Sequence, residues 1–231
     1  MRRNWSALIK TGRLEEIAYE LEQHIEEDLA NCLTNPRLNQ TALFDAVQEP
    51  DEARGDELTK LLLSYHADMN FIDTFGQTAL FYAAREGHSC QVRLLVTAGV
   101  NPNHRDSLEQ SALFYAAREG HARDIDILIA GGADPNLRDM YQQTPLFYAS
   151  REAQLEAIQT LVELKATVNI EDALGQTALF YACRSGTLKS VKLLVRLGAK
   201  LNHTDRQGRT AAFYAGSNPS PDVPAYVFHA K

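Results

Sequence analysis

The fold class this sequence predicts is all-α, a solenoid of stacked helix-turn-helix pairs, and three observations predict it. One phrase recurs: TALFDAV at 41, TALFYAAREGH at 78, SALFYAAREGH at 111, TPLFYASREAQ at 144, TALFYACRSGT at 177 and TAAFYAG at 210, the last five spaced 33 residues apart. A fixed period of this length marks stacked supersecondary units. Within a copy, Leu80, Ala83 and Ala84 fall at helical spacing on one narrow apolar face, and a second run, Val92, Leu95 and Val96, forms another, repeated as Ile125, Leu128 and Ile129 and as Val191, Leu194 and Val195. Neither helix can bury its face alone, so each pair must find its core against its neighbours.

The local chemistry of each unit fits this reading. Thr78 is placed to N-cap the first helix through its hydroxyl, and the next position accepts proline, as Pro145 shows. Gly87 stops that helix, while Gly99, Gly132 and Gly198 close the second helix in the left-handed cap position. The 33-residue period, the Thr-Pro-Leu-like opening, the Gly-His after the first helix and the endings GVNPN at 99 and GGADPN at 131 together resemble the ankyrin repeat. The resemblance covers nearly the whole chain. It implies that polar stretches such as NPNHRDSLEQ form β-hairpin fingers projecting sideways from the helices.

Taking the Asp that opens each finger as the boundary gives full repeats at 73–105, 106–138, 139–171 and 172–204. Residues 37–72 form a repeat with four extra residues around EPDEARGD, expected as a protruding acidic loop. Upstream, 1–36 contains SALIKTGRLEEIAYELEQH, which imitates a helix pair without the opening phrase and reads as an N-terminal cap, with Trp5 plugging its open end. Downstream, 205–231 keeps the first helix, but its proline-broken tail SNPSPDVPAYVFHAK allows at most a short second one, a C-terminal cap. In the repeat at 139–171, Ala153 and Lys165 stand where the helix-ending glycines stand in its neighbours. A left-handed non-glycine costs about 1 kcal/mol or more, making this repeat the expected weak link.

Departures from the ankyrin pattern nominate the functional positions. The family usually has His after Thr-Pro-Leu, tying the finger to the adjacent repeat by hydrogen bonds, whereas this chain has Phe44, Phe81, Phe114, Phe147, Phe180 and Phe213. That puts the polar network in doubt and leaves two readings, apolar packing between repeats or a ligand-binding ladder. Next come Tyr82, Tyr115, Tyr148 and Tyr181, each followed three residues later by Arg85, Arg118, Arg151 and Arg184. With Leu80, Ala83 and Ala84 marking the inside, the Tyr/Arg face is expected to point outward, into what the resemblance implies is a concave groove. Either it lines a partner site, Tyr and Arg being enriched at binding hot spots, or the arginines merely stack on Tyr and pair with Glu86, Glu119 and Glu152. The finger tips are apolar in four successive repeats, Phe75, Leu108, Tyr141 and Leu174, where turn chemistry alone favours small polar residues. Repeated about every 10 Å, the spacing of packed helices, they would form an exposed stripe that marks an interaction surface.

The remaining chemistry is negative. A net charge of -7 over 231 residues disfavours nucleic acid and anionic membranes, as does the interleaving of the arginines with glutamates. No stretch approaches the roughly 20 apolar residues of a membrane span. Cys32, Cys90 and Cys183 lack disulfide or zinc spacing, which fits a cytoplasmic or nuclear location. His88 and His121 are expected to make local backbone contacts, and Glu15 with Glu16 and Glu26 with Glu27 to form a solvated face. No phosphate loop, nucleophile elbow or metal motif occurs, so no cofactor, metal or catalysis is expected. The resemblance implies a monomeric interaction protein, an adaptor or inhibitor holding a protein partner. The second reading is an ankyrin recognition domain belonging to a larger enzyme, such as a palmitoyltransferase or kinase, or to a channel.

Overall fold

The structure is a computed structural model that describes residues 5–24 and 28–229. Its elements are almost all helices, in antiparallel pairs: α1 (Trp5–Thr11) with α2 (Leu14–Gln23), α3 (Ala42–Val47) with α4 (Glu52–Ser64), α5 (Ala79–Glu86) with α6 (Ser89–Ala98), α7 (Ala112–Glu119) with α8 (Ala122–Ala130), α9 (Pro145–Arg151) with α10 (Leu155–Glu163), α11 (Ala178–Ser185) with α12 (Leu188–Arg196), and α13 (Ala211–Ala215) with α14 (Asp222–His229). First helices stack on first helices and second on second, so one continuous apolar core runs the length of the array. The predicted solenoid is the observed architecture. Glu26 and Glu27 lie outside the described residues.

The alanines explain the close stacking. Ala83 and Ala84, like Ala116 and Ala117, are fully buried, and their small side chains let the next first helix approach. The five interior phenylalanines are also buried, each packed at 5.6–5.7 Å between ring centroids against the tyrosine of the following unit, edge-on in four pairs and tilted in Phe180–Tyr214. Of the two readings for these rings, the structure shows packing between repeats. Trp5, at the start of α1, is partly buried and packs against the core.

Local details correct several expectations. Thr78 does sit at the N-cap of α5, but its hydroxyl makes no cap bond, because its own carbonyl takes the Phe81 amide at 3.1 Å. The four extra residues do not protrude as an acidic loop. They lengthen the second helix, α4, to 13 residues against 9–10 in the four full pairs that follow, and Asp51 caps it by accepting from the Ala53 and Arg54 amides. Among the described residues only the first finger has paired strands, β1 (Leu33–Asn35) and β2 (Gln40–Thr41). Later fingers are turns closed by single contacts such as the Asp73 amide on the Gln77 carbonyl, 2.9 Å.

In the four full repeats the helix stops follow the glycines except in two units. Gly87 and Gly120 are left-handed, with φ of 81° and 87°. A Cβ on Gly87 would also lie 2.7 Å from the His121 ring, so glycine serves both conformation and space there. Ala153 and Lys165 adopt the same conformation, at φ 57° and 75°, and carry the strain expected of them. Gly186 instead is extended, because Thr187 begins α12 with a reciprocal side-chain cap to Ser190.

Candidate partner-binding surface

Each finger tip is built by one aspartate. Asp73 Oδ1 accepts from the Phe75 and Gln77 amides at 2.8 and 2.9 Å, folding the chain into a tight turn. Asp106, Asp139 and Asp172 repeat the arrangement. The following tip position is left-handed whether it is Gly76, Glu109, Gln142 or Gly175. Neighbouring tips are then tied by their backbones, because the carbonyls of Phe75, Leu108, Tyr141 and Leu174 accept from Ser107, Met140, Ala173 and Arg206 at 3.0–3.2 Å.

This geometry consumes the backbone of the tip residues and leaves their side chains in solvent. Phe75, Leu108, Tyr141 and Leu174 are 52, 43, 53 and 57% exposed, and Ile72 and Met140 stand exposed beside them. The fingers thus carry most of the large exposed apolar side chains of the described chain, in a row of fixed spacing. Arg138 and Arg206 border it and, with Gln142 and Asp172, line an open depression of about 510 Å³ between fingers.

The tyrosines sit elsewhere than expected. Tyr82, Tyr115, Tyr148 and Tyr181 are 6–7% exposed and do not face a groove. Each hydroxyl donates to the aspartate that builds its own finger, at 2.6–2.7 Å, and accepts from a glutamine of the preceding unit: Gln40 on Tyr82, Gln77 on Tyr115, Gln110 on Tyr148, Gln143 on Tyr181. The same glutamine amides also reach the aspartate Oδ2. The network that phenylalanine put in doubt is therefore present, one residue further on, because a phenol placed there reaches the aspartate that a phenyl ring cannot serve. Burial first, and then the hydrogen bond to aspartate, pushes all four phenols well above the usual tyrosine range.

The arginines cover these rings. Arg85, Arg118, Arg151 and Arg184 lie 4.5–4.8 Å from the ring centres of their own tyrosines. The first three also pair with Glu86, Glu119 and Glu152 at 3.1–3.2 Å, so stacking and pairing account for them without a ligand. Their outer edges remain about one-third exposed, whereas Arg184, with Ser185 in place of glutamate, is exposed.

The histidines reach further than expected. His88 contacts the Val47 carbonyl at 2.9 Å and His121 the Arg85 carbonyl at 3.0 Å, each bridging to the end of the preceding first helix, and Gln154 does the same to Arg118. Among the described residues no cluster of His, Cys, Asp and Glu is arranged to hold a metal ion. The Cys183 thiol is pushed up to about 12 by burial, and nearby Asp56 raises that of Cys90, so neither is an activated nucleophile. Among the described residues no helix is long and apolar enough to cross a membrane.

A family model described as ankyrin repeats matches the chain three times, over residues 43–139, 92–172 and 146–229. No curated protein matches it.

Proposed function

Because the chain belongs to the ankyrin-repeat family, whose members generally serve as protein–protein interaction modules, we propose that it is an adaptor or inhibitor that holds a partner protein along its finger tips. The observation that carries this reading is the apolar row itself. Four large side chains, each more than two-fifths exposed, stand on turns whose backbone bonds are already committed to aspartate and to the next finger. Such a row gives the folded monomer no core, yet it is held rigid in advance, which lowers the ordering cost of binding. The partly exposed arginines over the buried tyrosines supply further charge-assisted contacts.

Replacing Phe75, Leu108 and Tyr141 together by Ser tests the assignment. Circular dichroism and the urea midpoint should change little, because none of the three side chains is buried, while capture of the native partner from the source cells should be lost. Retention of the same partner at unchanged affinity refutes the finger row as the site.

A further inference from the structure

The second helices carry a groove of their own on their exposed side, with a volume of about 620 Å³ and a lining drawn from α8, α10 and α12. Two departures from the repeat open it. Stepping by the 33-residue period, the position filled by Leu94, Ile127 and Leu193 is Thr160 in α10, and the position filled by Leu155 and Leu188 is Ala122 in α8. Both shorter side chains line the groove, and they leave room beside Leu193 and beside Leu155, which is only partly buried. The result is a depression with an apolar floor between successive units.

One wall of the groove is basic. Lys189, Lys192 and Arg196 follow one another at steps of three and four residues, which places them on one face of α12, and all three are exposed. Lys192 rests on the Tyr226 ring at 5.2 Å, but Lys189 and Arg196 make no hydrogen bond or ion pair among the described residues. This differs from Arg85, Arg118 and Arg151, each of which has a glutamate beside it. The local sequence offers no such partner: residues 173–204 contain five Lys and Arg and no Asp or Glu, in a chain of net charge -7. Glu156 of α10 also lines the groove, and one carboxylate against three cations leaves the site positive.

We propose that this groove docks an acidic amphipathic helix of a partner protein, its apolar side on Leu155 and Leu193 and its carboxylates on Lys189 and Arg196. The unpaired cations set the sign of the occupant, and the apolar floor calls for an anchor beside the charges. The spacing selects a helix. Lys189 and Arg196 stand two turns apart on α12, about 10.5 Å along its axis, and a helix lying alongside carries Asp or Glu at i, i+3 or i+4, and i+7 with the same rise. The groove lies between units within the array and shares no residue with the finger row, so either assignment can fail without the other.

Fluorescence anisotropy of a labelled synthetic peptide tests the proposal, a helix of about 20 residues with Glu along one side and Leu along the other, titrated with the full chain. Binding is expected to weaken with added salt, and by about tenfold or more on replacing the peptide's Glu by Gln or scrambling its two sides at constant composition. In the chain, Lys189→Glu combined with Arg196→Glu should cost a similar factor. So should Thr160→Leu, which fills the floor with a side chain of the size other units carry there, while the triple finger-tip variant binds as the wild type does. Lys189 and Arg196 are exposed and Thr160 is only partly buried, so circular dichroism should show all these variants folded. No binding by the wild-type chain, or equal binding by the scrambled peptide or by either groove variant, overturns the proposal. So does a self-associated species in sedimentation velocity that the Lys189→Glu, Arg196→Glu variant dissolves, since the occupant would then be a second copy.

Discussion

Removing one hydroxyl tests what holds adjacent units in register. In Tyr148→Phe the ring keeps its edge contact with Phe114 and its place beneath Arg151, so packing is preserved and only the hydrogen bonds change. Asp139, which is fully buried, loses the donor at 2.6 Å on its Oδ2 and keeps the Gln110 amide at 3.1 Å. A hydrogen bond to a charged group contributes about 1.5–3 kcal/mol, and the carboxylate here stays partly served, so the expected loss is about 2 kcal/mol. For a chain of this size that lowers the melting temperature by about 4–8 °C. The assay is urea unfolding followed by circular dichroism, with the slope unchanged and the midpoint lowered. Tyr115→Phe and Tyr181→Phe share no hydrogen-bond partner, so their losses should add to within about 0.5 kcal/mol. A loss below about 0.5 kcal/mol for Tyr148→Phe would show that the tyrosine–aspartate–glutamine ladder contributes no more than the water it displaces.

The same ladder makes the protein sensitive to alkali. The four phenols titrate in the folded chain above the value of 10.0 they have when exposed, so their contribution is complete below pH 10 and is lost as the pH climbs from there through the raised values. The urea midpoint should fall steeply above pH 10 as phenolate absorbance appears, and less steeply in the Tyr148→Phe variant. A flat midpoint there removes the linkage. Ala153→Gly and Lys165→Gly relieve left-handed strain and should each stabilise by about 1 kcal/mol, with slower amide exchange in α9 and α10; unchanged exchange means the strain is relaxed elsewhere. Asp124, fully buried with Oδ2 lacking a partner among the described residues, has its carboxyl raised above 3.8 by burial, so its favourable contribution belongs to acid pH and fades as the pH rises through the raised value. Asp124→Asn should therefore gain on the wild type as the pH rises from about 4; a constant difference across that range refutes the assignment.

The array was legible in the sequence because its determinants are local and repeated. Apolar spacing and left-handed glycines concern residues within a turn or two of one another, and the repeat presents them in six copies whose agreement averages out the exceptions. The finger row was legible for the same reason, since the apolar tips violate turn chemistry and the violation recurs. The acidic insertion misled because a charged segment reads as solvated loop, although Asp51 supplies the cap that lets the extra residues continue as helix.

The tyrosines were misplaced for a different reason. Helical spacing of Leu80, Ala83 and Ala84 defines one buried face and leaves Tyr82 outside it, which is correct for a helix that packs on one side only. A helix inside a stack has three buried sides: its own partner, the preceding unit and the following one. Tyr82 lies against the preceding unit, so its burial depends on a residue 42 positions away, Gln40, which helical periodicity does not register. A signal was available in the column before the opening phrase, where glutamine recurs at 40, 77, 110, 143 and 176 and gives way to arginine only at 209. A long amide held constant beside a constant phenol and a constant aspartate is the pattern of a ladder between units. At 209 the arginine instead donates back to Asp205 of its own unit, and Phe213 nearby is exposed.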